Sequence, residues 1–139
     1  MSTTLIISSS CYGLVALISI IFGLIYLLRN QFMPYHSEAV GYSWAEIEPN
    51  LQILIIALMR VAGGGFLATG LAVFILLMIS WKGEAIWASY AISAIVLCTS
   101  IGTLYATWLV KTKTPGKSPF GLSLLALVLT IIGFIFSLM

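Results

Sequence analysis

Charged residues are scarce in this sequence, because four acidic and six basic side chains make up only 7% of its 139 residues. A soluble domain carries roughly 25% charged residues, so the composition indicates an integral membrane protein. There is one histidine, His36, and there are two cysteines, Cys11 and Cys98. A single histidine excludes a haem with two axial histidines, and without a CxxC pair neither a zinc site nor a disulfide framework is suggested. We therefore expect no cofactor, no metal ion and no nucleic-acid partner.

Most of the chain is apolar. Hydrophobic residues make up 61% of the sequence, and its mean hydropathy is +1.15. Each of four apolar runs is long enough to cross about 30 Å of hydrocarbon as a helix, which takes about 20 residues. The runs cover approximately residues 4–28, 51–79, 85–110 and 119–139. They predict an all-α fold: one membrane domain over residues 1–139, an up-down-up-down bundle of four transmembrane helices. The first run lacks the basic start and the cleavage site of a signal peptide, so we expect it to be retained.

Basic residues indicate the orientation of the chain. If all four runs cross the membrane, loops 29–50 and 111–118 share one side. Their basic residues are Arg29, Lys111, Lys113 and Lys117, whereas the opposite side has only Lys82. Because short cytoplasmic loops are enriched in lysine and arginine, we expect these two loops to be cytoplasmic and both termini to lie outside. The membrane is then expected to be the plasma (inner) membrane.

Small and hydroxylated residues recur every three or four positions on one face of three runs. Helices in lipid associate through close packing and interhelical hydrogen bonds, so we expect these faces to point into the bundle. The three faces are Ser8, Tyr12, Ala16, Ser19, Gly23 and Tyr26; Ser89, Ser93, Val96, Ser100, Thr103 and Thr107; and Ser123, Ala126, Thr130, Gly133 and Ser137.

Arg60 lies inside the second apolar run and is followed by Gly63, Gly64 and Gly65. Gly63 and Gly64 come three and four residues after Arg60, on the same side of a helix. A neighbouring line holds Ala57, Gly64 and Ala68. We therefore expect another helix backbone to pack close beside the arginine. Three consecutive glycines also weaken a helix, so a kink or a backbone segment beside a ligand is an alternative.

Three roles for Arg60 remain open at this stage. It can stand at the cytoplasmic boundary with its guanidinium among the headgroups. It can face inward and pair with Glu46 or Glu48, because a desolvated guanidinium is costly without a partner. It can also bind the anionic group of a ligand.

The loop 29–50 is long for a helix connection and is rich in polar groups, among them His36, Glu38, Glu46 and Glu48. Ser43 and Glu46 have the spacing of a capping box, and Pro49 suits a first helical turn. We expect a short helix leading into the second run, with the loop folded over the bundle at the Arg60 end. The loop is a weak candidate for a metal site, because residues two apart do not share a helix face.

These patterns favour a non-enzymatic bundle that binds a small amphiphile, a lipid or a partner membrane protein through its inward polar face. The candidate ligand-binding residues are Arg60, Tyr12, Ser19, Ser93, Ser100, Thr103 and Tyr105, of which Tyr105 lies off the main stripe. The hydroxyls can equally bond to neighbouring backbones.

Two further functions are open. A small transporter or channel could form from several copies of the chain, although none of the apolar runs contains the carboxylate that ion-coupled transport normally uses. A membrane-surface enzyme could use His36 and the loop glutamates. The expected partners are membrane lipid, a partner membrane protein or another copy of the chain.

Overall fold

Four long helices and one short helix make up the computed structural model, which describes residues 3–81 and 86–139. Lys82 and the first residue of the third predicted run, residue 85, lie outside the described residues. The helices are α1 (Thr3–Leu28), α2 (Pro34–Val40), α3 (Pro49–Trp81), α4 (Ile86–Lys113) and α5 (Phe120–Ser137). All except α2 are long and apolar enough to cross a membrane. The predicted all-α bundle of four transmembrane helices is confirmed.

The four long helices form a closed ring. Each packs against the next one in chain order, and α5 packs against α1. The hydroxylated faces predicted for α1, α4 and α5 are turned inward, as Tyr12, Ser93 and Thr130 illustrate with 1%, 4% and 0% of their surface exposed. Leucine and isoleucine occupy much of the outer surface, which is what lipid-facing positions require.

The bundle is packed solidly in the half that lies away from loops 29–50 and 111–118. Tyr12 and Val15 of α1, Val73 of α3, and Ile92 and Val96 of α4 form its buried core there. Each of these five side chains has at most 2% of its surface exposed.

Interhelical hydrogen bonds connect the helices of this solid half. Ser8 Oγ donates to the Gly133 carbonyl oxygen at 2.8 Å, joining α1 to α5. The Trp81 indole N–H donates to Ser9 Oγ at 2.8 Å, joining α3 to α1. Such bonds stabilise helix association in lipid by about 0.6–2 kcal/mol each.

Glycines bring α1 and α3 into backbone contact. A Cβ atom added to Gly63 would lie 2.9 Å from the Gly23 carbonyl oxygen and 2.9 Å from the Leu27 nitrogen. One added to Gly70, two turns further along α3, would lie 2.8 Å from the Ala16 carbonyl oxygen. These distances leave no room for a side chain, so both positions require glycine. The predicted close backbone approach beside Arg60 is therefore present.

The other two glycines of the triplet face outward. A Cβ atom at Gly64 or Gly65 would meet nothing within 4 Å, and Ala57 and Ala68 are exposed on the same outer surface. The expectation that the line of Ala57, Gly64 and Ala68 packs beside the arginine is therefore wrong. It fails because only one position in the triplet can point at α1 when successive residues turn by about 100°. Nor does the triplet break the helix, since α3 is continuous over 33 residues.

The short helix of the long loop lies earlier than predicted. α2 starts at Pro34 and ends at Val40, and the next residue, Gly41, caps it with a φ of 77°, the left-handed conformation that favours glycine. The capping box of Ser43 and Glu46 is present, with a Ser43 N–H to Glu46 Oε2 distance of 2.6 Å. These hydrogen bonds lower the pKa of Glu46. The capping box starts only one 3₁₀ turn, Trp44–Glu46, and α3 then begins at Pro49 as expected.

The two polar loops contact each other at one end of the bundle. A Cβ atom on Gly116 would lie 2.6 Å from the Tyr35 carbonyl oxygen and 2.8 Å from Ala39 Cβ, so glycine lets the second loop pack directly on α2. The Lys117 N–H donates to Glu38 Oε2 at 3.0 Å. Loops 29–50 and 111–118 therefore lie on the same side.

We expect Gly63→Ala to lower the free energy of unfolding by about 1–3 kcal/mol, because the added methyl group meets backbone atoms of α1 that cannot rotate away. Gly65→Ala is the matched control. Its methyl group enters open space and raises helix propensity by up to about 1 kcal/mol. Thermal unfolding in detergent micelles, followed by circular dichroism, measures both variants. Equal stability of the two would contradict the assigned contact.

Candidate ligand-binding site

A cavity of about 70 Å³ lies in the half of the bundle nearer the two polar loops. All four long helices contribute to its wall. We call it the interior cavity, and its principal lining residues are Ser19, Phe22, Phe66, Thr69, Ser100, Thr103 and Ser123. The wall alternates aromatic and aliphatic surface with hydroxyl groups, which suits a ligand that carries both kinds of surface.

A larger space of about 700 Å³ separates α3 from α4 in the same half. We call it the lateral cleft. Leu58 and Ala62 of α3 face Gly102 and Ala106 of α4 across it, and all four are exposed. Because its walls are exposed to the outside of the bundle, the cleft opens sideways toward the surrounding lipid. α2 borders its loop end through His36 and Ala39.

The interior cavity and the lateral cleft share part of their walls. The shared residues are Tyr26, Tyr35, Phe66, Thr103 and Thr107. At this junction the Tyr26 and Tyr35 hydroxyls are hydrogen-bonded at 2.6 Å, connecting the end of α1 to α2. Burial raises the pKa of Tyr35, so its phenol is neutral at physiological pH. The junction is thus lined by uncharged groups.

Two of the predicted ligand-binding residues bond to each other in the solid half. Ser93 Oγ donates to the Ser89 carbonyl oxygen at 2.9 Å, which uses its only proton. Tyr12 OH therefore donates in the 2.6 Å contact with Ser93 Oγ. Neither side chain is among the described residues that line the interior cavity.

The remaining predicted hydroxyls divide between the inside and the outside of the bundle. Ser19 and Ser100 line the interior cavity, and Thr103 lines both the cavity and the lateral cleft. Thr103 Oγ1 donates to the Thr99 carbonyl oxygen at 2.7 Å. Tyr105, by contrast, is 62% exposed beside Trp108 and does not lie on the inward face.

Arg60 caps the end of α1. Its guanidinium donates to the Tyr26 carbonyl oxygen at 2.9 Å and to Asn30 Oδ1 at 3.2 Å. Tyr26 is among the last four residues of α1, whose carbonyl groups have no partner further along the helix. A cation at this position also interacts favourably with the negative end of the helix dipole.

The glutamates of the long loop have partners other than Arg60. Glu46 accepts from the Ser43 N–H, and Glu48 Oε1 accepts from Asn50 Nδ2 at 2.8 Å. Within residues 3–81 and 86–139, neither carboxylate hydrogen-bonds to Arg60. The expected ion pair with Glu46 or Glu48 is replaced by the two oxygen acceptors at the end of α1.

His36 is part of the lateral cleft and not of a metal cluster. Its Nδ1 accepts from the Met33 N–H at 3.3 Å, and its ring packs 4.2 Å from the Tyr35 ring. Burial lowers the pKa of His36, which favours neutral imidazole. Within the described part of the chain, no three histidine, cysteine or acidic side chains are grouped so as to hold a metal ion.

Comparisons with protein-family models, with curated proteins and with solved structures found no match for the chain.

Sequence reasoning missed the wall of the lateral cleft. Gly102 and Ala106 are four residues apart on α4 and lie beside the hydroxylated stripe, so their spacing could have indicated a second small-residue face. Tyr35 follows Pro34, and Gly41 ends the same segment; a proline at the start and a glycine just past the end are typical of a helix. That pattern could have placed Tyr35 on α2.

We expect Arg60→Leu to lower the free energy of unfolding by about 1–3 kcal/mol, since it removes two charge-assisted hydrogen bonds at the end of α1. Lys113→Leu is the control, because it removes an exposed cation at the end of α4. Thermal unfolding in micelles compares the two variants with the wild type. If Arg60→Leu is as stable as Lys113→Leu, the cap contributes nothing.

Proposed function

We propose that this protein is a non-enzymatic membrane bundle that binds a lipid-like amphiphile in the lateral cleft, with the polar end of the ligand directed into the interior cavity. The observation that supports this proposal is the pair of adjoining spaces between the helices. One is wide, mostly apolar and open toward lipid, and the other is small, bordered by four helices and lined in part by hydroxyls.

The dimensions of the lateral cleft suit such a ligand. Ligand sites in proteins typically have volumes of about 300–1,000 Å³ and mostly apolar walls with a few polar groups. The cleft has about 700 Å³, and Leu58, Met59 and Phe66 are among its apolar wall residues. Since it opens sideways, a ligand dissolved in the bilayer can enter it without crossing the polar loops.

The chemistry of the walls favours binding over ion-coupled transport. None of the described residues that line the cavity or the cleft is a carboxylate, and intramembrane carboxylates are the usual proton and cation carriers. A partner membrane protein or a second copy of the chain can still share the lipid-facing surface.

We also propose that loops 29–50 and 111–118 face the cytoplasm, that both termini lie outside, and that the host membrane is the plasma (inner) membrane. The support is the group of basic residues on one side: Arg29, Lys111, Lys113 and Lys117. The contact between Glu38 and the Lys117 backbone puts both loops at the same end of the bundle, so their charges act together under the positive-inside rule.

Gly102→Phe is expected to reduce the fraction of protein that retains a co-purified amphiphile by at least about fivefold. Its ring enters the lateral cleft, where a Cβ atom at Gly102 meets nothing within 4 Å. Gly121→Phe is the matched control, because Gly121 is an exposed glycine of α5 with equally open space around it. Native mass spectrometry from mild detergent counts the bound molecules. Equal retention by the two variants would refute binding in the cleft.

Single cysteines introduced at opposite ends test the orientation, in a Cys11→Ala, Cys98→Ala background. We expect Lys113→Cys to react with a membrane-impermeant maleimide only after the cells are permeabilised. The Met139 side chain is 79% exposed in the wild type, and we expect Met139→Cys to react in intact cells. The reverse labelling pattern would overturn the proposed orientation.

A further inference from the structure

Two buried hydroxyls of the interior cavity have no hydrogen-bond partner among the described residues. Ser19 of α1 and Ser100 of α4 line the cavity, with 8% and 5% of their surfaces exposed. Neither hydroxyl hydrogen-bonds to any residue of the described ranges 3–81 and 86–139. Every fully buried polar side-chain atom in those ranges has a hydrogen-bond partner. Because the Ser19 and Ser100 oxygens have none, they are not fully buried, and we take their accessible surface to face the cavity that they line.

The other serine and threonine hydroxyls around the cavity have already donated their protons. Thr99 Oγ1 donates to the Ile95 carbonyl oxygen at 3.1 Å and accepts from Thr69 at 3.1 Å. Thr103 Oγ1 donates to the Thr99 carbonyl oxygen, and Ser123 Oγ donates to the Pro119 carbonyl oxygen at 3.3 Å. Among the serines and threonines of the wall, Ser19 and Ser100 therefore supply the O–H groups that remain for a ligand, from two different helices. One phenol proton of the hydrogen-bonded Tyr26–Tyr35 pair also remains, at the junction with the lateral cleft.

The interior cavity offers these donors without any charge. None of the described residues that line it is acidic, basic or a histidine. An ionic group would lose its hydration there and gain no counter-charge, which is costly. The Arg60 guanidinium, six residues before Phe66 of the cavity wall, donates to the end of α1 instead.

We infer that the ligand is an uncharged amphiphile, bound through a hydroxyl or carbonyl oxygen that accepts hydrogen bonds from Ser19 and Ser100. This inference rests on the proposed function, because it assigns the chemistry of the ligand's polar end. The cavity volume of about 70 Å³ holds a head of only a few atoms. The hydrocarbon chain lies in the lateral cleft and passes between the two spaces at the wall they share, beside Phe66 and Thr103.

The test compares oleyl alcohol with oleyl sulfate, which has the same chain and a permanent negative charge. Native mass spectrometry titrates each probe onto the full-length protein in detergent. We expect the wild type to bind oleyl alcohol at least about tenfold more tightly than oleyl sulfate. The Ser19→Ala, Ser100→Ala double variant is expected to weaken oleyl alcohol binding at least about fivefold and to leave oleyl sulfate binding unchanged.

Ser8→Ala is the matched control, because it also removes a buried hydroxyl of α1, but one that already donates to the Gly133 carbonyl oxygen in the solid half. We expect the Ser8→Ala variant to bind oleyl alcohol as tightly as the wild type does. If the double variant binds oleyl alcohol as tightly as the wild type, or the two probes bind equally, the inference fails while the proposed function stands. If neither probe binds and Gly102→Phe has no effect on lipid retention, the proposed function itself fails. Thermal unfolding of the double variant establishes that it is folded.

Discussion

The contact between the backbones of α1 and α3 is the constraint on which the rest of the bundle depends. In lipid, apolar side chains gain little by leaving their surroundings, so helix pairs are held by atoms that pack closely. Gly63 and Gly70 place α3 directly on the α1 backbone. Arg60 completes this contact at one end, and Trp81 with Ser9 completes it at the other. α3 thus follows α1 along most of its length, whereas the lateral cleft separates it from α4 near the loops.

Small residues serve opposite purposes on the two sides of α3. Toward α1, glycine removes the side chain so that two backbones can touch. Toward α4, Ala62 faces Gly102 and Ala106 across an open space, where small side chains widen the gap. The difference does not lie in residue type. It arises from position along α3, because α3 contacts α4 at Thr69 and Thr99 but is separated from it by the lateral cleft nearer the loops.

Composition and periodicity were sufficient to predict the architecture, because four long apolar runs can cross a membrane only as helices. They were also sufficient for the inward faces of α1, α4 and α5. They could not say which of Gly63, Gly64 and Gly65 meets α1, since that depends on the rotation of α3 about its own axis. For the same reason, spacing could not separate Tyr12 and Ser93, which bond to each other, from Ser19 and Ser100, which face the cavity.

Arg60 illustrates a second limit of sequence reasoning. The sequence indicated that the guanidinium needs acceptors, and the loop glutamates were the obvious candidates. Its acceptors are the Tyr26 carbonyl oxygen and the Asn30 side chain, at the end of α1. The sequence does not show which backbone carbonyl will be available as an acceptor, because every residue has one. Only the position where α1 ends, next to α3, makes this carbonyl available.

The unequal lengths of the long helices have a consequence for how the protein sits in the bilayer. α3 has 33 residues and α5 has 18, so at 1.5 Å per residue they extend about 50 Å and about 27 Å. A typical hydrocarbon layer is about 30 Å thick, which α5 matches and α3 exceeds by more than tilting normally absorbs. The two helices occupy opposite corners of the ring. Because the start of α3 carries Asn50, Gln52 and Arg60, we expect these polar turns to extend past the hydrocarbon among the headgroups on the side of the two loops, whereas α5 has no such extension.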